Sequence, residues 1–244
     1  MSLRSLIPVI LEVRVVVCRV TRRPHGQWQP YSGPVGHFGD VTNIPRANAH
    51  IVVVPLRSFD SAKSRLRDAG TSDVTGIAER LARAVLEHCA PLPVVVVCES
   101  DDIERFALAN GAAVLRSPRA GLNNAVSHAY GELTTFCERV SIVHGDLRFP
   151  EGLGGFEPQG TITIVADRHG TGTNILSLPT GLSFRFHYGE ASAIHHRHEA
   201  ERLGVDVTTL TTSPWRFDVD VPEDLSVPKT NGGPSAPHSL GTTL

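Results

Sequence analysis

Ala49-His50-Ile51-Val52-Val53-Val54-Pro55-Leu56 is a nearly unbroken β-branched run. A run this short and this apolar suits a strand covered on both faces, and Pro55 suits its end. The same texture returns in PLPVVVVCES (91–100), in RVSIVHGDL (139–147) and in GTITIVAD (160–167). Helical spacing fills the intervals. TSDVTGIAERLARAVLEHCA (71–90) places Ile77, Leu81, Ala84, Val85 and His88 at helical spacing, with Thr71 and Ser72 ahead of them as N-cap candidates. DDIERFALANGAAVL (101–115) reads as a helix, a stop at Gly111 and a short strand. GLNNAVSHAYGEL opens a further helix at Gly121, and ASAIHHRHEAERLGV (191–205) another, before a last extended segment, TTLTTSPWRFDVD (208–220). Strands alternating with helices of 10 to 15 residues (roughly) predict a three-layer α/β/α domain with a mostly parallel sheet.

The ends of the chain have a different texture. Residues 11–20 alternate Val with Arg and Glu and could add an edge strand or precede the domain. The following TRRPHGQWQPYSGPVGHFGD has no period and reads as irregular. The tail from Lys229 is rich in Gly, Pro, Ser and Thr and reads as disordered. The expected organisation is therefore an N-terminal extension (1–48), one domain (49–228) and a tail (229–244).

Composition narrows the classes. With 23 basic and 25 acidic residues in 244, the chain carries a formal charge of −2, which argues against a generic nucleic-acid binder. The four cysteines show no CxxC pair. That disfavours structural zinc and suits small buried thiols in a reducing compartment. The apolar N-terminus is broken by Glu12, Arg14 and Arg19, so neither a membrane span nor a secretory signal is expected. A cytoplasmic protein with no membrane or nucleic-acid partner follows.

In such a sheet, ligands lie beyond the carboxyl ends of the strands. After the first strand comes PLRSFDSAKSRL, with Arg57, Lys63 and Arg65 available to neutralise phosphate, although it is not a P-loop. After the third stands Asp146, a candidate Mg²⁺ ligand. After the fourth, DRHGTGTN offers backbone and hydroxyl donors to an anion, and an ordinary Gly/Thr turn would look the same. Asp218 and Asp220 alternate, so on a strand they share a face about 6–7 Å apart. Glu223 and Asp224 suit a helix start behind Pro222. His195, His196 and His198 read as a helix surface. No GxSxG or paired Ser/Cys–base arrangement occurs.

VPLRSFDSAKSRL, GLNNAV, GDL, DRHGTGTN, YGEASAIHH and DVDVPEDL follow one another in this order. The series resembles the guanylyltransferases that make the precursor of the lactyl side chain of coenzyme F-420. The resemblance covers roughly residues 50–228. It implies a Rossmann-like fold of the nucleotide-diphospho-sugar transferase type. It also implies transfer of GMP from GTP to phosphoenolpyruvate, 2-phospho-L-lactate or 3-phospho-D-glycerate. By resemblance, Pro55, Leu56, Lys63, Gly121, Leu122 and Asn123 would hold the nucleotide. Thr173, Gly189 and Ser192 would hold the phosphorylated acid. Asp146 and Asp220, helped by Asp218, would hold Mg²⁺, while Lys63, Arg65 and Asp146 would carry the catalysis. A homodimer is left open. The family usually reads ADLP where this chain reads GDLRFP, which puts Arg148 in place of proline, either as an anion contact or as a solvated loop residue. Two alternatives remain: another nucleotidyltransferase of the same fold, for a pterin, sugar or isoprenoid phosphate, and a non-catalytic relative. The first would normally carry a Gly-rich first loop, which PLRSFDSAKSRL lacks.

Overall fold

The computed structural model describes residues 21–22, 28–29 and 50–227. Two short strands, β1 (Thr21–Arg22) and β2 (Trp28–Gln29), pair antiparallel, within a stretch expected to be irregular. The edge strand suggested for residues 11–20 and the disordered tail from Lys229 lie outside the described residues.

The four apolar runs are strands: β3 (His50–Pro55), β4 (Val94–Cys98), β6 (Arg139–Val143) and β7 (Ile162–Ala166). The short β5 (Ala113–Arg116) also forms, and β9 (Val207–Leu210) takes the start of the last extended segment. Between them run α1 (Ser64–Asp68), α2 (Val74–His88), α3 (Asp101–Ala109), α4 (Leu122–Leu133) and α5 (Ser192–Leu203). Side-chain alternation along β3 explains why both sheet faces need cover. Ile51 and Val53 join one core with Val126 and Ala129 of α4 and Ala193 and Ala200 of α5. Val52 and Val54 join the other with Ala82 and Val85 of α2 and Ile103 and Ala107 of α3. The outcome is the expected three-layer sandwich.

The sequence reading did not find one strand. β8 (Thr173–Pro179) lies between β6 and β7 and runs antiparallel to both. The seven-stranded order is β5-β4-β3-β6-β8-β7-β9, with parallel pairing everywhere else. TNILSLP carries Thr173, Asn174 and Ser177 as buried polar residues, which hides the apolar signature of an interior strand. Each nevertheless finds a partner: Thr173 bonds His196, Asn174 donates to the Trp215 carbonyl, and Ser177 accepts from Arg139.

Two smaller expectations change. The N-cap of α2 is Asp73, whose carboxylate accepts from the Gly76 N–H at 3.2 Å, rather than Thr71 or Ser72. Residues 217–221 form no strand, only a bridge between Leu147 and Asp218. Cys89, Cys98 and Cys137 are buried and free; burial pushes the Cys89 thiol up to about 12 and Cys137 up to about 11, so neither is a ready nucleophile. Among the described residues, no helix is long and apolar enough to cross a membrane.

Candidate active site

A cleft of about 660 Å³ opens over the carboxyl ends of β3, β4 and β6. Its walls include Pro55 at the end of β3, Leu56 and Arg57 after it, Glu99 after β4, Gly121 and Leu122 at the start of α4, and His144 and Asp146 after β6. Lys63, Arg65 and Asp220 close the same end as Asp146. The geometry thus collects the basic loop and two of the three carboxylates singled out from the sequence.

Lys63 caps α1 in the left-handed region, with φ 59° and ψ 46°, a conformation that costs a residue with a Cβ about 1–2 kcal/mol. Its ammonium donates to Asp146 in a short ion pair and to Asp220 at 3.1 Å. The Lys63 side chain is only 8% exposed. Burial alone would lower its pKa, but the charges of Asp146 and Asp220 and their hydrogen bonds outweigh burial and raise it. Burial would raise the Asp146 carboxyl, and the Lys63 charge, followed by His144, overturns that and lowers it. Asp218 goes the other way: burial and then the charges of Asp146 and Asp220 push it up. Arg65 reaches the second Asp220 oxygen at 3.4 Å from a largely exposed position.

The same carboxylates bear on a divalent cation. Asp146 Oδ1 is buried and has no hydrogen-bond partner, and a cationic ammonium already stands between Asp146 and Asp220. No group of three His, Cys, Asp or Glu side chains forms a ready metal cage among the described residues. Mg²⁺ commonly takes one or two carboxylates and completes its shell with phosphate and water, so the pair fits that ion.

The segment bearing Asp220 is tied down from several directions. Asp224, 2% exposed, accepts from the N–H groups of Asp220 at 2.7 Å and Val221 at 2.9 Å and pairs with Arg168. Its structural reading holds. Arg148 is half-buried rather than a solvated loop residue. Its guanidinium donates to the Leu225 carbonyl at 2.7 Å and lies over the Phe149 ring, while its backbone N–H donates to Phe217 at 2.7 Å. It therefore fastens residues 217–225 to the loop that carries Asp146.

The residues expected to hold the acid form a separate cluster. Ser192 Oγ donates to Thr173 Oγ1 at 3.2 Å, and Thr173 Oγ1 meets His196 Nδ1 at 3.1 Å. His196 Nε2 accepts the His187 backbone N–H at 3.0 Å, so Nδ1 carries the proton of the neutral ring. His196 is fully buried, which corrects the reading of the triplet as a helix surface; only His195 and His198 are exposed. Burial, then His187, His144 and His195, lower its pKa to about 3. Thr173 and Ser192 are also buried and do not wall the cleft. The Tyr188 ring links the two groups, 5.3 Å from His144 and 4.8 Å from His196. Gly189, exposed with φ 130°, follows it. Asn123 spends its amide on both backbone groups of Tyr188, at 2.7 and 2.9 Å, so it positions this segment.

DRHGTGTN proves to be the loop joining antiparallel β7 and β8. Its would-be anion nest is filled from within, because Asp167 Oδ1 accepts the Thr171 N–H at 2.9 Å and the Asp167 N–H donates to the Gly172 carbonyl at 3.0 Å. Sequence reasoning missed Glu99 and His144. Both follow strands directly, so the strand-end rule that singled out Asp146 would have pointed to them too.

Comparison with known proteins agrees with this geometry. The family profile described as "Guanylyl transferase CofC like" matches residues 50–227. A phosphoenolpyruvate guanylyltransferase from Mycolicibacterium smegmatis is 28% identical over 204 residues, covering 78% of this chain and 89% of that protein. A 2-phospho-L-lactate guanylyltransferase from Methanocaldococcus fervens is 27% identical over 181 residues, covering 71% and 82%. The fold is shared with a crystal structure described as a putative nucleotide-diphospho-sugar transferase from Desulfovibrio desulfuricans, at a TM-score of 0.58 and 15% identity over 73% of this chain and 85% of that one. The chain belongs to the CofC-like guanylyl transferase family.

Proposed function

We propose that this protein transfers GMP from GTP to a small phosphorylated carboxylic acid, of the phosphoenolpyruvate, 2-phospho-L-lactate or 3-phospho-D-glycerate kind, with release of pyrophosphate. The observation that carries the reading is the convergence of Lys63, Arg65, Asp146 and Asp220 at one end of a cleft large enough for a nucleotide.

The acceptor's phosphate oxygen attacks the α-phosphorus in line. The new P–O bond forms as the bond to the β-phosphate bridging oxygen breaks, and pyrophosphate carries away the electron pair. The attacking phosphate is ionised at neutral pH, so no general base is required. Both reactants are polyanions, and positioning with charge neutralisation supplies most of the rate. Lys63 and Arg65 neutralise the α-phosphate and the leaving pyrophosphate. Mg²⁺, held by Asp146 and Asp220 with Asp218 nearby, would supply further charge stabilisation on the phosphate oxygens. Gly121 and Leu122 border the nucleoside. The acid lies against exposed Gly189, and the buried Ser192–Thr173–His196 hydrogen-bond chain behind it braces that segment through the His187 N–H. The free thiols suit a cytoplasmic setting.

Pyrophosphate release, measured with GTP and each of the three acids in turn, tests the proposal. No release with any of them, from folded protein supplied with Mg²⁺, would overturn it.

A further inference from the structure

The cleft is chemically two-ended. Lys63, Arg65, Asp146 and Asp220 crowd the end beyond β6, and β4 lies on the far side of β3. Adjacent strands lie about 4.8 Å apart, so the ends of β4 and β6 stand about 10 Å apart, the scale of one nucleoside. If the triphosphate and its cations occupy the β6 end, the base falls over β4. That end is walled by partly buried Leu122 and by one carboxylate, Glu99. A carboxylate beside the triphosphate would repel it, and its place at the opposite end suits contact with an uncharged ring.

Glu99 is not a loose surface acid. Its Oε1 accepts the Gly121 N–H at 2.8 Å. Its backbone carbonyl is held by Arg116 at 2.8 Å, and the neighbouring Cys98 carbonyl by the Ser117 N–H at 2.8 Å. Gly121 has φ +100°, open to glycine and strained for other residues, and in this conformation its N–H reaches Glu99. The anchor leaves Oε2 and the spare lone pair of Oε1 available. Guanine carries two adjacent donors, N1–H and the 2-amino group, in a fork that matches a carboxylate. Adenine and cytosine present a ring-nitrogen acceptor at the matching edge, which a carboxylate rejects.

We infer that Glu99, oriented by the Gly121 N–H, is the residue that reads the base of the nucleotide donor, accepting from guanine N1–H and the 2-amino group. The inference rests on the guanylyl-transfer reading for the direction in which the nucleotide lies.

The test is nucleotide binding by titration calorimetry with Mg²⁺ and without any acceptor acid, comparing GTP, ITP and ATP on the wild type and on Glu99→Gln. The wild type is expected to bind GTP at least about tenfold tighter than ATP, with ITP, which lacks the 2-amino group, in between. Glu99→Gln should bring GTP and ATP to within about threefold of each other. A variant that keeps the wild-type GTP-to-ATP ratio would overturn the assignment. So would equal wild-type affinity for GTP and ITP, a measurement that needs no variant. Failure of the transfer reading looks different: GTP preference lost in Glu99→Gln, yet no pyrophosphate released with any acid by the wild type.

Discussion

Lys63 and Asp220 are separated by 157 residues of chain, yet the ammonium of one donates to the carboxylate of the other at 3.1 Å. The same ammonium holds Asp146. One lysine therefore fixes the relative position of the two acids proposed to flank a divalent cation. It also stands where that cation would be drawn.

Asp146→Asn should reduce pyrophosphate release by at least about a hundredfold, since it removes the charge that would hold the cation and that orients Lys63 beside the transferring phosphate. Circular dichroism should show an unchanged fold. Wild-type turnover in this variant, with Mg²⁺ as the only metal, would remove Asp146 from the catalytic set.

Lys63→Gln frees Asp146 and Asp220 from their internal counter-ion. Without nucleotide, the variant should bind Mn²⁺ (a spectroscopic substitute for Mg²⁺) more tightly than the wild type, read by electron paramagnetic resonance. Turnover should fall at least about a hundredfold, because the phosphate contact goes with the ammonium. Unchanged Mn²⁺ affinity would mean that the lysine and the metal do not share a position.

Ser192→Ala should raise the acceptor KM more than the GTP KM, by roughly tenfold against little change, as expected for loss of one hydrogen bond from the chain that braces the acid-side segment. Equal shifts in both constants would count against an acceptor-side role for the Thr173–Ser192–His196 cluster.

Acid should destabilise the protein through its buried imidazoles. Burial lowers His196 to about 3, and burial followed by the Arg139 charge lowers His50 to about 4. Between those values and 6.5 the unfolded chain binds protons that the folded chain refuses, so stability rises with pH in this window and is fully present above 6.5. As pH falls below 6.5, each histidine should cost up to about 1.4 kcal/mol per pH unit. Urea midpoints at pH 7, 6, 5 and 4 measure the slope, and His196→Asn should flatten it. A wild-type slope indistinguishable from that of His196→Asn would show that the ring is not buried and neutral.

Asp224→Asn should leave Arg168 without its counter-charge and weaken the tether on the Asp220 N–H, costing about 3 kcal/mol. Chemical unfolding measures the loss. A change of less than about 0.5 kcal/mol would place this contact among ordinary surface pairs.

The amino-acid order alone specified the layered fold, because β-branched runs such as Ile51–Val54 and Val94–Val97 can be satisfied only in a sheet covered on both faces. It also put Asp146 beyond a strand end and Lys63 in the loop that follows another, where ligands gather. It could not announce β8, whose buried Thr173, Asn174 and Ser177 become acceptable only when β6, β7 and α5 supply their partners. Nor could it distinguish three neighbouring histidines. Packing buries His196 under Phe184 and Tyr188 and turns His195 and His198 outward. The roles of Arg148, Asp167 and Asn123 were likewise decided by contacts with residues 4 to 77 positions away. Periodicity is a local property that the chain displays directly, whereas hydrogen-bond partners and the field around a charge come into being only when distant segments meet.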